Sequence, residues 1–242
     1  AALPVVKDLC DALVRLADML QNIEAFDEAV TTFEKAAPLA QDVAARVALY
    51  YRAAGLYEAK LGKPNEARAA YEAILTATPE DARAYVALGA IYRSTSEWRK
   101  LVALDEDFIP HAPAAERLAI LREIRDTHGE KLGEKELAFI AACRVYKENV
   151  EDLASAEALE RLGMETEAGE EMVAVLEDEL DAIVTSQVKI ASLRRIARIY
   201  ADVLKDAPQS EAALRKILDI EPSDLEALDA LASLGAREDR YD

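Results

Sequence analysis

Apolar residues recur at spacings of three and four along most of the chain, the pattern of amphipathic helices that bury one face. The strict alternation of apolar and polar positions that marks a half-buried strand does not occur in any sustained run. The periodicity therefore predicts an all-helical chain. Between its breaks it predicts thirteen helices at 4–22, 26–40, 43–61, 64–77, 80–95, 97–109, 113–131, 134–147, 150–163, 166–183, 186–204, 208–219 and 223–236.

The chain repeats itself at a spacing of 34 residues. The recurring pairs are Tyr51 and Tyr85, Gly55 and Gly89, and Pro79 and Pro113. Paired helices at this spacing resemble the tetratricopeptide repeat (TPR) family, best in residues 48–115 and more weakly elsewhere. We expect the glycines at 55 and 89 to lie where helices cross closely, because no larger residue would fit there.

A longer period of 71 to 72 residues runs through the chain. Its matching segments are Lys60-Leu61-Gly62 with Lys131-Leu132-Gly133, and Pro79-Glu80-Asp81 with Val150-Glu151-Asp152 and Pro222-Ser223-Asp224. Its matching apolar triplets are Leu13/Leu16/Met19, Tyr85/Leu88/Ile91, Ala156/Leu159/Leu162 and Leu228/Leu231/Leu234. The unit is thus about two tandem repeats, or four helices.

These periods and the family resemblance predict an all-α superhelix, a solenoid of about thirteen helices stacked as antiparallel hairpins. We expect a single TPR-like solenoid over 1–242, with subunits 1–43, 44–113, 114–185 and 186–242, the last of them truncated. The chain starts without an initiator methionine or a leader pattern, and its last predicted helix lacks a partner where a polar capping helix would end a native array, so we expect a piece of a longer protein. Its compartment stays open, with the cytoplasm favoured.

The charge balance limits the classes of partner. With 29 basic and 47 acidic residues the formal net charge is −18, which should repel nucleic acid and anionic membrane surfaces. No apolar run is long enough to predict a transmembrane helix. We therefore expect neither nucleic acid nor membrane as a partner, and the pattern leaves the oligomeric state open.

No motif in the sequence predicts catalysis. His111 and His128 do not form a metal-ligand spacing with Cys10 or Cys143, and no phosphate-binding loop or nucleophile motif occurs. Both cysteines fall on apolar helix faces, as buried inert thiols do. We predict a non-enzymatic protein with no cofactor and no metal.

The TPR resemblance implies that the first helix of each hairpin lines a concave groove that holds a protein or peptide partner. The family's groove positions correspond here to Leu49, Arg52, Leu56, Lys60, Arg83, Val86, Arg93, Arg161 and Arg195. Arginines in a groove are typical clamps for carboxylates, which favours a partner segment that carries one. The alternative is that these arginines only balance neighbouring carboxylates.

Two other interpretations remain open at this stage. Acidic residues cluster between 165 and 181, either as a solvated outer face or as a docking surface for a basic partner. The chain could also be a self-assembly or spacer module, or the regulatory arm of a larger enzyme or signalling protein. The TPR resemblance favours an interaction scaffold over a self-assembly or spacer module and over a regulatory arm.

Overall fold

The computed structural model describes the backbone of residues 2–238 and the side chains of residues 5–235. Over this part of the chain the polypeptide forms thirteen α-helices and no strand, which confirms the predicted all-α helical repeat. The chain divides into two compact units, residues 1–114 and 115–242. The predicted truncation of the last subunit concerns a segment whose final residues, 239–242, lie outside the described part.

Unit 1 consists of three helix hairpins. Its helices are α1 (Ala2–Asn22), α2 (Phe26–Ala36), α3 (Val43–Ala59), α4 (Arg68–Ala77), α5 (Ala82–Ser94) and α6 (Trp98–Phe108). The core of its first two hairpins is built from small and aromatic residues, with Phe33, Ala17 and Ala53 completely buried. Small side chains let neighbouring helix backbones approach each other, and the aromatic ring fills the space that remains.

Unit 2 consists of three hairpins and one further helix. Its helices are α7 (Ala114–Asp126), α8 (Lys135–Glu148), α9 (Leu153–Glu165), α10 (Gly169–Asp178), α11 (Ser186–Ile199), α12 (Ala207–Ile220) and α13 (Leu225–Glu238). One continuous apolar cluster joins α8 to α13, and Tyr146, Leu159 and Ile196 are almost completely buried in it. Each helix thus buries its apolar stripe against its neighbours along the chain.

Aspartates begin several of the helices. The Asp81 carboxylate accepts a hydrogen bond of 2.9 Å from the Ala84 amide, and Asp152 accepts one of 3.1 Å from Ser155. Asp224 accepts the equivalent bond from the amide of Ala227 at 2.8 Å. Such caps satisfy amides that have no partner inside the helix, and here they stand 71 and 72 residues apart.

The same period appears in the backbone at the hairpin turns. Six of the described residues have a positive φ, and they form two series: Glu24, Ser96 and Glu167, and then Gly62, Gly133 and Lys205. Within each series the spacing is 71 or 72 residues, as in the sequence. Only two of the six are glycines, so hydrogen bonding at the turn holds the other four in a conformation that side chains disfavour.

Two helices end in a wider turn than the sequence pattern predicts. The predicted helices 113–131 and 186–204 are α-helical only as far as Asp126 and Ile199, and their last turns are π-helical. Each π turn leads directly into a left-handed residue, Gly133 or Lys205. The equivalent turn at Gly62 has the same left-handed residue without a π turn, so the wider turn is particular to these two hairpins.

The predicted glycine crossings are wrong at two positions, and a close approach occurs elsewhere. A Cβ atom at Gly55 would meet nothing within 4 Å, and the atoms nearest to one at Gly89 are those of the Arg93 guanidinium. At Gly163, in contrast, a Cβ would lie 2.8 Å from Met172 Sδ and 3.2 Å from a ring carbon of Phe139. The close approach therefore lies in α9, where the family's glycine pattern is weakest.

Candidate protein-binding surface

The first helices of the second and third hairpins, α3 and α5, each carry an exposed stripe of residues. On α3 the stripe contains Ala48, Gly55 and Ala59 on either side of the half-buried Arg52. On α5 it contains Arg83, Val86, Ala90 and Arg93. Both stripes follow the three- and four-residue spacing of one helix face, and their side chains are small except for the arginines and the valine. We call these residues the α3/α5 face.

Two of the predicted groove residues are not on this face. Leu49 and Leu56 are only 7 % and 6 % exposed, and both belong to the core cluster of unit 1. The prediction is wrong for these two leucines, because each residue along a helix turns the side chain by about 100°. The positions one residue earlier, Ala48 and Gly55, are the exposed ones.

Arg52 is on the face but serves the fold. Its guanidinium forms an ion pair with Asp18 of α1, and it lies 4.0 Å above the ring of Phe33 of α2. A single side chain thereby joins the first three helices of unit 1. Because its charge is matched and its flat surface is covered, little of Arg52 is left for a partner.

The two arginines predicted in unit 2 are also paired. Arg195 Nε lies 2.5 Å from Glu160 Oε2, and the Arg195 side chain is only 11 % exposed. Arg161 Nη1 lies 3.0 Å from Glu165 Oε1 on the same helix. The alternative interpretation, that the groove arginines balance neighbouring carboxylates, therefore holds for these two positions.

Arg93 is engaged as well. Its guanidinium lies across Gly89, and it takes part in an interaction within the chain. The missing side chain at Gly89 is what makes room for it, since a Cβ there would lie 3.1 Å from Arg93 Nη1. Gly89 therefore accommodates an arginine rather than a crossing helix.

Arg83 and Lys60 differ from the other predicted cations. Neither forms an ion pair with any of the residues that the structure describes, and both are exposed. The Arg83 guanidinium lies 4.4 Å above the ring of Tyr51, and Lys60 Nζ lies 5.8 Å from the ring centre of Phe26. An aromatic ring holds each charge in place without neutralising it.

Tyr51 is fixed from two sides beneath Arg83. Its hydroxyl donates a 2.6 Å hydrogen bond to Asp81, and its ring packs edge-on against Tyr71 at 6.2 Å between centroids. Burial, together with the hydrogen bond to Asp81, raises the pKa of Tyr51 well above its ordinary value. The phenol consequently stays a neutral donor, and the position of the Arg83 guanidinium is set by a rigid ring.

An apolar side chain completes the exposed patch. Val86, one turn after Arg83 on α5, is 62 % exposed. Ala90 follows one turn later and adds little bulk. The α3/α5 face therefore presents a cation without an ion pair to any described residue, an apolar side chain beside it and a shallow surface of small residues. This combination is suited to a polypeptide.

Three of the eight acidic residues between 165 and 181 form ion pairs with cations of the described residues. The cations lie on α8, α9 and α11, in the pairs Glu165 with Lys135 and Arg161, Glu179 with Lys147, and Asp181 with Lys189. The pKa of Glu165 is lowered by its hydrogen bonds with Arg161 and Lys135. The other five carboxylates form no ion pair with a described residue, so a solvated face and a docking surface for a basic partner both stay predictions for this stretch.

The thiols and imidazoles have structural surroundings. Burial raises the pKa of Cys10 and raises that of Cys143 to about 11, so both thiols stay protonated near neutral pH. His128 Nδ1 lies 2.8 Å from Glu134 Oε2 across the π turn.

Among the described residues no three histidine, cysteine or acidic side chains are grouped as a metal ion would need. Within the same residues no helix is both long and apolar enough to cross a membrane.

The sequence does contain a signal that these arginines are paired. The signal is an acidic residue one repeat before the arginine, so it is found only when two successive repeats are compared. Asp18 precedes Arg52 by 34 residues and Glu160 precedes Arg195 by 35, which is one repeat in each case. Because equivalent positions of adjacent first helices lie side by side in a stack, an acidic residue one repeat before an arginine predicts an ion pair. Arg83 has Leu49 in that position and so has no such partner.

Comparison with known proteins identifies the repeat. Residues 47–81 match the family model described as tetratricopeptide repeat, which confirms the resemblance there. The similar solved structures include YrrB, a TPR protein with an unusual peptide-binding site, at 18 % identity and a TM-score of 0.37, covering 75 % of this chain and 90 % of that one. A thermophilic TPR protein of Thermus thermophilus shares 20 % identity over 93 % of this chain and 98 % of its own, with a TM-score of 0.32.

A third similar structure is the C-terminal part of a TPR repeat-containing protein from Cytophaga hutchinsonii. It shares 15 % identity over 95 % of this chain and 93 % of its own, with a TM-score of 0.39. A search of curated proteins gives no match.

Proposed function

We propose, from the premise that residues 47–81 are a tetratricopeptide repeat, that the chain is a non-enzymatic protein–protein interaction scaffold and that the α3/α5 face holds the partner. The partner segment is short, and it carries at least one carboxylate. The observation that supports this most directly is Arg83, an exposed guanidinium stacked on Tyr51 without an ion pair among the described residues.

Arg83 suits a carboxylate because of its geometry. A guanidinium can donate two parallel hydrogen bonds to one carboxylate, each contributing about 1.5–3 kcal/mol before the costs of desolvation and ordering. The guanidinium carbon lies 4.4 Å from the centre of the Tyr51 ring, and no carboxylate of the described residues forms an ion pair with its N–H groups. A hydrophobic side chain of the same segment would pack on Val86, one turn along α5.

Lys60 directly follows the last residue of α3 and adds a second exposed cation at that end of the helix. Its ammonium is exposed and forms no ion pair with a described residue, so it can attract a second carboxylate of the partner. In a chain of net charge −18, Arg83 and Lys60 offer positive charge to an acidic segment, and the aromatic ring beneath each one distinguishes them from the other described cations without an ion pair. Charge complementarity of this kind raises the association rate and restricts the choice of partner.

The test uses a displayed library of peptides with free C-termini, panned against the chain. The peptides selected should carry a carboxylate, at the C-terminus or in a side chain, next to an apolar residue. Binding of a selected peptide to the Arg83→Glu variant should weaken by about tenfold or more, since a clamp becomes a repelling charge.

The matched control is Arg215→Glu on α12. Arg215 is also an exposed arginine, and its ion pair is with Glu211 of the same helix. The Arg215→Glu substitution changes the net charge by the same amount as Arg83→Glu, but it lies on the second helix of a hairpin, so peptide binding should be unaffected. Equal affinity for wild type and the Arg83→Glu variant, with crosslinks found only on second helices, would reject the α3/α5 face as the site.

A further inference from the structure

A cleft lies between the second helices of two successive hairpins of unit 1, α4 and α6. Its volume is about 550 Å³, and every residue that lines it belongs to unit 1. Helix α5 packs on both α4 and α6, and its residues Leu88 and Tyr92 form the floor of the cleft. Both are almost completely buried, so the packing of the core fixes the floor. We call this feature the α4/α6 cleft.

The α4/α6 cleft combines an apolar lining with a few charged groups. Its lining residues Leu88, Leu104 and Phe108 are at most 9 % exposed, and they are held in place by their neighbours in the helices. The charged lining residues, all of them exposed, are Glu72 of α4 with Lys100 and Asp107 of α6. A hollow of this size, mostly apolar and with a small number of polar groups, is the composition that small-molecule sites show.

The two carboxylates of the cleft have no cation as a partner among the described residues, whereas its ammonium group is paired. Lys100 Nζ lies 2.5 Å from Glu97 Oε2. The Tyr92 phenol donates a 2.8 Å hydrogen bond to Glu72, and burial together with this bond raises the pKa of Tyr92 well above its ordinary value, so the donor stays neutral. The Asp107 side chain forms neither an ion pair nor a hydrogen bond within the described part of the chain. The cleft therefore offers unmatched negative charge beside an apolar surface.

The equivalent second helices of unit 2 are bridged instead. Shifted by the 71-residue period, Thr76 and Phe108 of the cleft correspond to Lys147 and Glu179. Lys147 Nζ lies 3.9 Å from Glu179 Oε1, and α8 and α10 contact each other directly. Neither Thr76 nor Phe108 carries a charge, so the same bridge cannot form between α4 and α6. The open cleft therefore coincides with two positions at which unit 1 lacks the bridging residues of unit 2.

We propose that the α4/α6 cleft binds a small organic cation, a molecule in which an aromatic ring or similar apolar body carries one positive charge. The apolar body packs against Leu75, Leu88 and Leu104, which removes their surface from water. The positive charge lies next to Asp107, with Glu72 on the facing helix, whereas an anion would meet two like charges there. The cleft shares no residue with the α3/α5 face, so this proposal does not depend on the one made for that face.

The probe is tryptamine, an indole ring that carries an ammonium group on a two-carbon chain. It is titrated into the chain with labelled leucine methyl groups, and the methyl resonances are followed by NMR. Saturable shifts should appear at Leu75, Leu88 and Leu104, while Leu159, the equivalent of Leu88 in unit 2, should not move. Tryptophol and indole-3-propionate have the same ring and chain with a neutral hydroxyl and a carboxylate. The affinity should fall in the order tryptamine, tryptophol, indole-3-propionate.

Two pairs of variants make the result specific. Asp107→Asn should weaken tryptamine binding by about threefold and leave tryptophol binding unchanged. Asp178→Asn is its control, because Asp178 is the equivalent exposed residue of α10 and its loss changes the net charge equally. Ala103→Phe fills the cleft from α6 and should abolish the leucine shifts, whereas Ala174→Phe, at the equivalent exposed alanine of α10, should not. All four positions are exposed, so the variants should keep the wild-type melting curve, which circular dichroism checks.

Three results would overturn the proposal. Tryptamine could cause no saturable shift at the three leucines of the cleft, or the shifts could survive Ala103→Phe. Asp107→Asn and Asp178→Asn could weaken binding equally, which would assign the effect to the general attraction of a cation to an acidic chain. Indole-3-propionate could also bind as tightly as tryptamine, and the cleft would then select an apolar ring without regard to charge.

Discussion

Asp81 caps the first turn of α5 and also accepts a 2.6 Å hydrogen bond from the Tyr51 hydroxyl of α3. The same arrangement recurs in unit 2 with arginine in place of tyrosine. Arg122 Nη2 lies 2.7 Å from Asp152, and Arg194 pairs with Asp224. In all three cases the donor lies 30 residues before the cap. One carboxylate thus starts a helix and ties it to the first helix of the preceding hairpin.

Because Asp152 both caps α9 and binds Arg122, it should contribute more to the free energy of unfolding than a residue that only caps a helix. Asp152→Ala should lower the free energy of unfolding by about 2 kcal/mol. About 1 kcal/mol of this is the loss of the helix cap, and the rest is the loss of the hydrogen-bonded ion pair with Arg122. Asp42→Ala is the matched control, since Asp42 caps α3 through the Ala45 amide and is exposed. It should cost only the cap, about 1 kcal/mol, in urea unfolding.

A double-mutant cycle isolates the part due to Arg122. Arg122→Ala and Asp152→Ala combined should cost less than the sum of the single changes, because each removes the same interaction. Strict additivity, or equal losses for the Asp42 and Asp152 variants, would contradict a tie between α7 and α9.

The pH dependence of stability follows from the same carboxylate. Hydrogen bonding from Ser155, followed by the charge of Arg122, lowers the pKa of Asp152 below its ordinary value of 3.8. A lowered pKa in the folded state means that this stabilisation is complete above pH 3.8 and is lost as the pH falls through the folded-state value. The difference in unfolding free energy between wild type and Asp152→Asn should therefore shrink below about pH 4. A difference that stays constant from neutral to acid pH would count against this assignment.

The helical framework was predictable because its signals are local. Apolar periodicity and closing prolines predict the thirteen helices, and the Asp81, Asp152 and Asp224 segments mark three helix starts. The two π turns were not predictable, because they depend on how the chain leaves α7 and α11 rather than on the apolar pattern. Lys205 illustrates this, since it adopts the left-handed conformation of Gly133 without being glycine.

The binding surface was predictable only in part, because it depends on helix rotation and on pairing across repeats. Leu49 and Leu56 were assigned from the family's pattern, but at these two positions the exposed residue is the preceding one, Ala48 or Gly55. Arg52 lies on the face, as expected, but its role follows from Asp18, a residue in a different hairpin. Arg83 stands out only once its neighbours in space are known.

Gly55 of α3 and Gly163 of α9 should respond in opposite ways to replacement by alanine. Gly55→Ala adds a methyl group where nothing lies within 4 Å, so it should stabilise the fold by about 0.5–1 kcal/mol through helix propensity. Gly163→Ala gains the same propensity but pushes a methyl group against Met172 and Phe139. Overpacking costs about 1–3 kcal/mol, so the net effect should be a loss on the order of 1 kcal/mol. Thermal melts that show the same sign for both variants would contradict the packing described for α9.

The contrast between Arg52 and Arg83 separates a structural cation from a binding one. Arg52→Ala removes the stacking on Phe33 and the ion pair with Asp18, and it should lower the free energy of unfolding by about 1–2 kcal/mol. Arg83→Ala removes only an exposed contact with Tyr51 and should cost about 0.5 kcal/mol or less. For binding of a selected carboxylate peptide the order should be reversed, with Arg83→Ala causing the larger loss of affinity. Urea unfolding and peptide titration on the same two variants measure both quantities. If Arg52→Ala lost more affinity than Arg83→Ala while remaining fully folded, the carboxylate-binding role would belong to Arg52.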